Sequence, residues 1–282
     1  MTLKPDEVDL VIYHDNCTDG FGAAFAAWHA RRDKATYFPA KYREPPPDVT
    51  GKNVLIVDFS YPRSTLLKMR EQARSILVLD HHKSAMEDLQ DLDFVQFDMT
   101  SSGAMLSWAF FHPDEHPPLM IRYIQDRDLW QWKMPSSREF SAGFMNVPFL
   151  FTEYSRHMQD SSVQHVINQG TTIVRYIDSE VAKICKHAAK RRLRVAPDLT
   201  CRVVNTHVWV SEVGSKICES ADVAVMWYMD HDSGAWRVSL RSRPGVDVTP
   251  IARHYGGGGH EQAAGFTLSG ANHIESIFHD DA

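Results

Sequence analysis

Apolar positions gather at the start of the chain in three short runs, each closed by an acid or a histidine: DLVIYHD (9–15), NVLIVDF (53–59) and SILVLDHH (75–82). Near-continuous aliphatic runs of this length predict strands covered on both faces, as in a parallel sheet. Between them the pattern changes to a helical period. After Gly20, the residues Phe21, Ala24, Phe25 and Trp28 fall on one helix face. After Pro62, RSTLLKMREQAR predicts a second helix, with Leu66, Leu67 and Met69 turned to the sheet. Strands alternating with helices predict right-handed β-α-β crossovers. FVQF (94–97) is a further candidate strand, and 102–130 reads as mostly helical with a break at HPDEHPPL (112–119).

From Val163 to about Arg194 the pattern is strongly helical, with Val166, Ile167, Ile173, Val174, Ile177, Val181 and Ile184 as an interrupted stripe. It ends in the basic run KRRLR (190–194), and Pro197 follows. Beyond it the texture is that of strands: CRVVNT, ADVAVMWYM and WRVSLRS, the last two joined by a turn at DHDSG (230–234). The expected organisation is an α/β protein in three parts. A parallel-sheet N-terminal domain spans 1–160, a connector helix 161–195, and a smaller C-terminal α/β domain with a mixed sheet 196–282.

Composition narrows the class. Hydrophobic residues are 43% and charged residues 23% of 282, an ordinary soluble globular mix. No stretch approaches the roughly 18 consecutive apolar residues of a membrane span, and the N-terminus lacks the pattern of a signal peptide. Cys17, Cys185, Cys201 and Cys218 are scattered, which suits a reducing, cytoplasmic setting. A net charge of −6 argues against a protein that coats long nucleic acid through overall charge.

The chemistry concentrates at strand ends, where ligands collect in an open parallel sheet. One run ends in His14 and Asp15 with Asp19 close behind, the next in Asp58, the third in Asp80, His81 and His82. One acid at a strand end reads as a cap or turn former. Three such ends on one sheet edge point to a site. Carboxylates mixed with imidazoles form a hard O/N donor set suited to Mn2+ or Mg2+, with Fe2+ and Zn2+ as further candidates. A cation there would offset the mutual repulsion of the acids. In YIQDRDLWQW (123–132), Asp126 follows a short apolar run and is a fourth candidate acid; pairing of Arg127 with a neighbouring acid is the plainer reading.

The last third carries GGGGH (256–260) before EQAAGF. Glycines let backbone N–H groups approach an anion, and a helix following them would aim its N-terminus at it. His260, with Arg241 and Arg243 on a nearby strand, adds to a phosphate-binding reading. A metal cluster with an anion cradle suggests metal-assisted hydrolysis of a phosphate ester.

In HDNCTDG (14–20), VDFS (57–60), DHH (80–82), QDRD (125–128) and GGGGHEQAAGF (256–266) the chain resembles the DHH phosphoesterase superfamily, in its branch with a C-terminal DHH-associated domain. The resemblance implies an active site in the interdomain cleft and one or two Mn2+ or Mg2+ ions. Asp58 would bridge two metals, Asp19, His81 and Asp126 would complete one position, and His14 would serve the other. It implies catalytic roles for His82, beside the substrate phosphate, and for Asp80, which would orient the histidines. Arg241, Gly258, Gly259 and His260 would grip the substrate phosphate. One position departs from the pattern: Cys17 stands where the superfamily usually has a carboxylate, and a thiolate is a soft ligand, poorly matched to Mn2+ or Mg2+.

The expected substrate is a short single-stranded oligonucleotide, cleaved as by an exonuclease or nanoRNase. Trp130, Trp132, Tyr42 and Tyr255 are candidates to stack bases. The alternatives are a phosphatase or phosphodiesterase on small nucleotides, such as 3′-phosphoadenosine 5′-phosphate or cyclic dinucleotides, and a non-catalytic nucleotide-binding module. DNA against RNA is left open.

Overall fold

Alternation along the first strands decides the layering. In the computed structural model, which describes residues 3–270 and 273–279, β1 (Leu10–His14) sends Val11 and Tyr13 to one face of its sheet and Leu10 and Ile12 to the other. β3 (Asn53–Val57) splits in the same way, Leu55 and Val57 against Val54 and Ile56. So does β4 (Ser75–Asp80), Leu77 and Leu79 against Ile76 and Val78. Successive strand side chains point to opposite faces, so a continuous aliphatic run feeds two cores. Burying one such Ile or Val is worth roughly 1.5–3 kcal/mol.

Two compact units divide the chain, Met1–Val174 and Arg175–Ala282. The first holds a five-stranded sheet in which every pairing is parallel, in the order β2-β1-β3-β4-β5, with β2 at Thr36–Ala40 and β5 at Val95–Phe97. One face is covered by α1 (Thr18–Arg31), α4 (Gly103–Phe111), α5 (Leu119–Asp128), α6 (Ser137–Phe144) and α7 (Phe151–Arg156). The other is covered by α2 (Arg63–Gln72) and α3 (Lys83–Leu89). In α2, Leu66 and Met69 are buried as expected, but Leu67 is 41% exposed, because it lies about 100° round the helix from Leu66. The strand order reverses between β1 and β3, and this is the place where doubly wound sheets bind ligands. His14 ends β1, and Asp58 directly follows β3.

The division between units falls inside α8 (Asp160–Cys185). The helix expected to reach Arg194 stops at Cys185. Residues of the basic run form β6 (Ala189–Arg191) instead, paired with β7 (Cys201–Asn205). The second unit is a six-stranded mixed sheet, ordered β10-β11-β9-β8-β7-β6, around its own apolar core. Only β7 and β8 (Val223–Asp230) pair in parallel, across the intervening α9 (Val210–Cys218). β9 (Ala235–Ser242) returns through the expected turn at 230–234. After α10 (Thr249–His254), β10 (Gly258–His260) and β11 (Ala263–Leu268) form a hairpin. The segment that follows the glycines is therefore a strand. No helix among the described residues is long and apolar enough to cross a membrane.

Candidate metal centre

The site is built on the ends of three adjacent parallel strands and the starts of two helices. Asp58 leaves β3 with a left-handed backbone (φ 54°), held by its N–H donating to the Leu79 carbonyl at 3.0 Å. That conformation costs a non-glycine residue about 1–2 kcal/mol. It is tolerated because it aims a fully buried carboxylate at the histidines. Asp58 Oδ1 meets His81 Nε2 at 3.0 Å, and Asp58 Oδ2 lies 3.7 Å from His14 Nδ1. One carboxylate thus faces two imidazoles from its two oxygens.

Asp19, on the first turn of α1, reaches the start of α4. Its oxygens accept from the Gly103 N–H at 2.6 Å and the Ala104 N–H at 3.0 Å, and Asp19 Oδ2 is 3.6 Å from His81 Nε2. A helix N-terminus is a favourable seat for a carboxylate. The approach is close enough that a Cβ on Gly103 would stand 2.3 Å from the Asp58 Cβ.

Sequence reading placed Asp126 in this cluster, and the structure puts Asp128 there. Asp128 Oδ2 is 3.6 Å from His81 Nε2. Asp126 turns away and accepts from the Lys133 and Met134 N–H groups at 2.9 and 3.2 Å, tying down the segment after α5. Two positions along a helix is a turn of about 200°, so only one of the pair can face His81. The signal that could have found it is the helical pattern of 119–128, which overrides the likeness of Asp126 to a strand end.

Asp80 is fully buried at the end of β4. Its Oδ2 accepts the Ser60 hydroxyl at 2.6 Å; its Oδ1 faces His82 Nδ1 at 2.7 Å and accepts the His81 N–H at 2.8 Å. Burial alone would raise the Asp80 carboxyl, but His82 and Ser60 hold it below the usual range. Burial alone would lower His82, but Asp80 outweighs it and raises the imidazole. Ser60 was not singled out from the sequence. A serine two residues after a candidate ligand carries no pattern of its own.

The donor set fits a cation. Burial, with Asp128 and Asp58 close by, pushes Asp19 well above the ordinary carboxylate range. Burial raises Asp128 as well, against the pull of His81. Asp58 and His81 move the opposite way to one another: although burial opposes both charges, the His14 and His81 imidazoles lower the acid, and the hydrogen bond to Asp58, with Asp128 and Asp19 close by, raises the base. Asp58 Oδ2 and Asp128 Oδ2 are buried without a hydrogen-bond partner. A buried polar atom in that state costs about 1–3 kcal/mol, more if charged. Ligand atoms of Asp19, Asp58 and His81 lie within 4.8 Å of one another, and so do those of His14, Cys17 and Asp58.

The aromatic candidates are arranged differently from a free stacking track. Tyr42 is 53% exposed, its ring 5.4 Å from that of His14. Trp130 and Trp132 pack edge-on at 4.9 Å, with the Arg127 guanidinium 4.3 and 5.3 Å from their ring centres. Tyr255 stacks on Phe266 within the second unit. In that unit, Arg241 pairs with Ala263, and Ala263 with His260. This cross-strand row puts Arg241 and His260 on one sheet face, two strands or about 10 Å apart. Arg241 also donates to the Ser211 hydroxyl at the start of α9. Gly258 and Gly259 lie on β10, and Gly259 has φ 142°.

Residues 206–280 match the DHHA1 domain. Over 291 residues the chain is 30% identical to uncharacterized protein R106 of Acanthamoeba polyphaga mimivirus, covering 95% of this chain and 69% of R106. Among solved structures, the DHH domain of a member of the s1p family of ribosomal proteins superposes with a TM-score of 0.60. It is 13% identical, over 92% of this chain and 82% of that one. An exopolyphosphatase-related protein from Bacteroides fragilis superposes at 0.56, with 12% identity, over 96% and 89%. The chain belongs to the DHH phosphoesterase superfamily. Its signature is Asp80-His81-His82. Oligoribonuclease NrnB of Bacillus subtilis (strain 168) is a further relative, 23% identical over 217 residues. The match takes in 69% of this DHH chain and about half of NrnB, 53%.

Proposed function

We propose that this DHH protein hydrolyses phosphodiester bonds of short single-stranded oligonucleotides, in a reaction that depends on one or two Mn2+ or Mg2+ ions. The observation that carries the reading is the set of three carboxylates, Asp19, Asp58 and Asp128, within 3.6 Å of His81 Nε2. Likeness to NrnB supports the substrate class. Asp58, Asp19, Asp128 and His81 would hold one ion, and Asp58 with His14 the other. A bound divalent cation supplies Lewis acidity and neutralises charge that builds up on a phosphate in the transition state.

The rest falls to the chain's own groups. Asp80 holds His82 through Nδ1 at 2.7 Å and so fixes the orientation of the ring beside the cluster. A raised His82 pKa favours the protonated ring, able to donate to a phosphate oxygen or to the departing alkoxide. Arg241, Gly258, Gly259 and His260 of the second unit are the proposed phosphate grip.

The test is a labelled ribodinucleotide and a long single strand, each incubated with Mn2+. Cleavage of the dinucleotide, abolished by chelator and by Asp58→Asn, is expected. No cleavage of either substrate sinks the reading. The packing of Arg127 on both Trp130 and Trp132 favours a second reading, a phosphatase or phosphodiesterase for small nucleotides that needs no stacking track. Faster phosphate release from 3′-phosphoadenosine 5′-phosphate than dinucleotide cleavage would select it.

A further inference from the structure

We propose that Cys17 makes the His14 position a site for a borderline divalent cation, Zn2+ or Fe2+ in preference to Mn2+ or Mg2+. The inference extends the functional reading, whose site it shares, and concerns which ion the second position takes.

Three donors converge there from separate elements. His14 ends β1, Asp58 follows β3, and Cys17 is the residue that caps the N-terminus of α1. The first turn of α1 lies directly against the end of β1: a Cβ on Gly20 would stand 2.2 Å from the His14 carbonyl oxygen. That close approach brings Cys17 back over the strand it has just left. As a result, ligand atoms of His14, Cys17 and Asp58 all lie within 4.8 Å of one another.

Asp58 Oδ2 is the independent sign of a ligand. Asp58 is 1% exposed, and this oxygen is buried without a hydrogen-bond partner on the His14 side. Its 3.7 Å separation from His14 Nδ1 is too long for a hydrogen bond. It suits two ligands of one ion with bonds of about 2.0–2.3 Å.

The donor types then choose the ion. Asp19, Asp58, Asp128 and His81 offer three carboxylates and an imidazole, a set for a hard cation. His14, Cys17 and Asp58 offer nitrogen, sulfur and oxygen, a set that thiolate affinity turns towards Zn2+ or Fe2+. Binding exchanges the thiol proton for the metal, and the proton goes to solvent. The two neighbouring positions would hold ions of different character, bridged by Asp58.

The test reads metal, not hydrolysis. Chain stripped of metal is offered equal Zn2+ and Mn2+, desalted, and its metal content measured. About one Zn2+ per chain is expected for the wild type. In Cys17→Ser the Zn2+ affinity should fall at least about 10-fold, and Cys17→Asp should turn the site towards Mn2+. Loading with Co2+ should give a thiolate-to-metal charge-transfer band in the wild type and none in either variant. In the unmodified chain, Zn2+ but not Mg2+ should protect Cys17 from alkylation, located by peptide mapping; this arm needs no variant to fold. Equal Zn2+ content in wild type and Cys17→Ser, or alkylation of Cys17 at one rate with and without Zn2+, overturns the proposal. A chain that protects Cys17 yet cleaves no phosphodiester refutes the functional reading alone.

Discussion

Asp128 Oδ2 stands 3.6 Å from His81 Nε2, while Asp126, two residues earlier, spends both carboxylate oxygens on the backbone of Lys133 and Met134. The two acids should therefore fail in opposite ways. Asp126→Asn replaces one acceptor by a donor facing an N–H, which should cost about 1–3 kcal/mol and lower the melting temperature by roughly 2–4 °C per kcal/mol. Its metal content should stay. Asp128→Asn removes one charge from a crowded acid cluster, so the metal-free protein should be no less stable. Its affinity for a divalent cation should fall at least about 10-fold. Melting curves and metal analysis on both variants check this, and the reverse pattern would return Asp126 to the site.

Gly103 is a second point where packing and chemistry meet. A Cβ there would lie 2.3 Å from the Asp58 Cβ and 2.8 Å from its carboxyl carbon. Gly103→Ala must push α4 away, and with it the two N–H groups that hold Asp19. The expected cost is about 1–3 kcal/mol from overpacking, with loss of bound metal. Gly51→Ala is the control. Unlike Gly103, which is helical, it occupies a left-handed position (φ 69°), and nothing lies within 4 Å of its added Cβ. It should cost about 1–2 kcal/mol in backbone strain and leave metal binding unchanged. Equal metal loss in both would show a general loss of folding, not a local clash.

These contacts mark where sequence patterns stop. His14, Asp58 and Asp80 were legible because β1, β3 and β4 are buried on both faces, so the first polar residue after each aliphatic run stands out. β2 was not, since Thr36–Ala40 is an edge strand with a mixed burial pattern and a proline. The basic run at 190–194 looked like the end of a helix. Residues 189–191 become a strand through pairing with Cys201–Val203, a partner that local propensity does not see. The four glycines read as a loop, whereas pairing of Gly258 with Gly265 makes the last two of them part of a hairpin strand. The role of Cys17 depends on the convergence of β1, α1 and β3, which spacing along the chain does not display.

The acid cluster should write itself into the pH dependence of stability. Asp19 and Asp128 have raised folded-state pKa values, mainly through burial. Their contribution favours folding fully below the ordinary carboxylate value of about 3.9, and is lost as pH rises through the folded values. His81 and His82, also raised, contribute fully below about 6.5 and lose that contribution as pH rises further. Asp58 and Asp80 are lowered, so their contribution is present above about 3.9 and lost as pH falls. Metal-free protein should therefore be most stable in mild acid and lose stability as pH rises from there, with the His81 part lost between about 6.5 and about 10. A divalent cation takes the place of the protons, so the stabilisation by Mn2+ should grow over that range. Melting temperatures across pH, with chelator and with Mn2+, measure it; a metal-free protein that gains stability towards pH 8 contradicts the electrostatics of the cluster.

Ser60, Asp80 and His82 form a chain in which each link has a different expected weight. Asp80 is fully buried and accepts from Ser60, from the His81 backbone and from the His82 ring. Asp80→Asn turns one acceptor oxygen into a donor and removes the charge that holds the His82 proton. It should cost about 1.5–3 kcal/mol and reduce turnover of whatever phosphoester is cleaved by about 10–100-fold. Ser60→Ala leaves the charge and the His82 contact intact and removes one hydrogen bond, a loss of about 0.5–1.5 kcal/mol. Ser60→Thr keeps the hydroxyl and should restore most of it. The diagnostic is the split between kcat and KM. If His82 acts on the reacting phosphate, both losses fall mainly on kcat and rank Asp80→Asn above Ser60→Ala. A change confined to KM, or one that Ser60→Thr fails to rescue, would place His82 and its supports outside the chemical step.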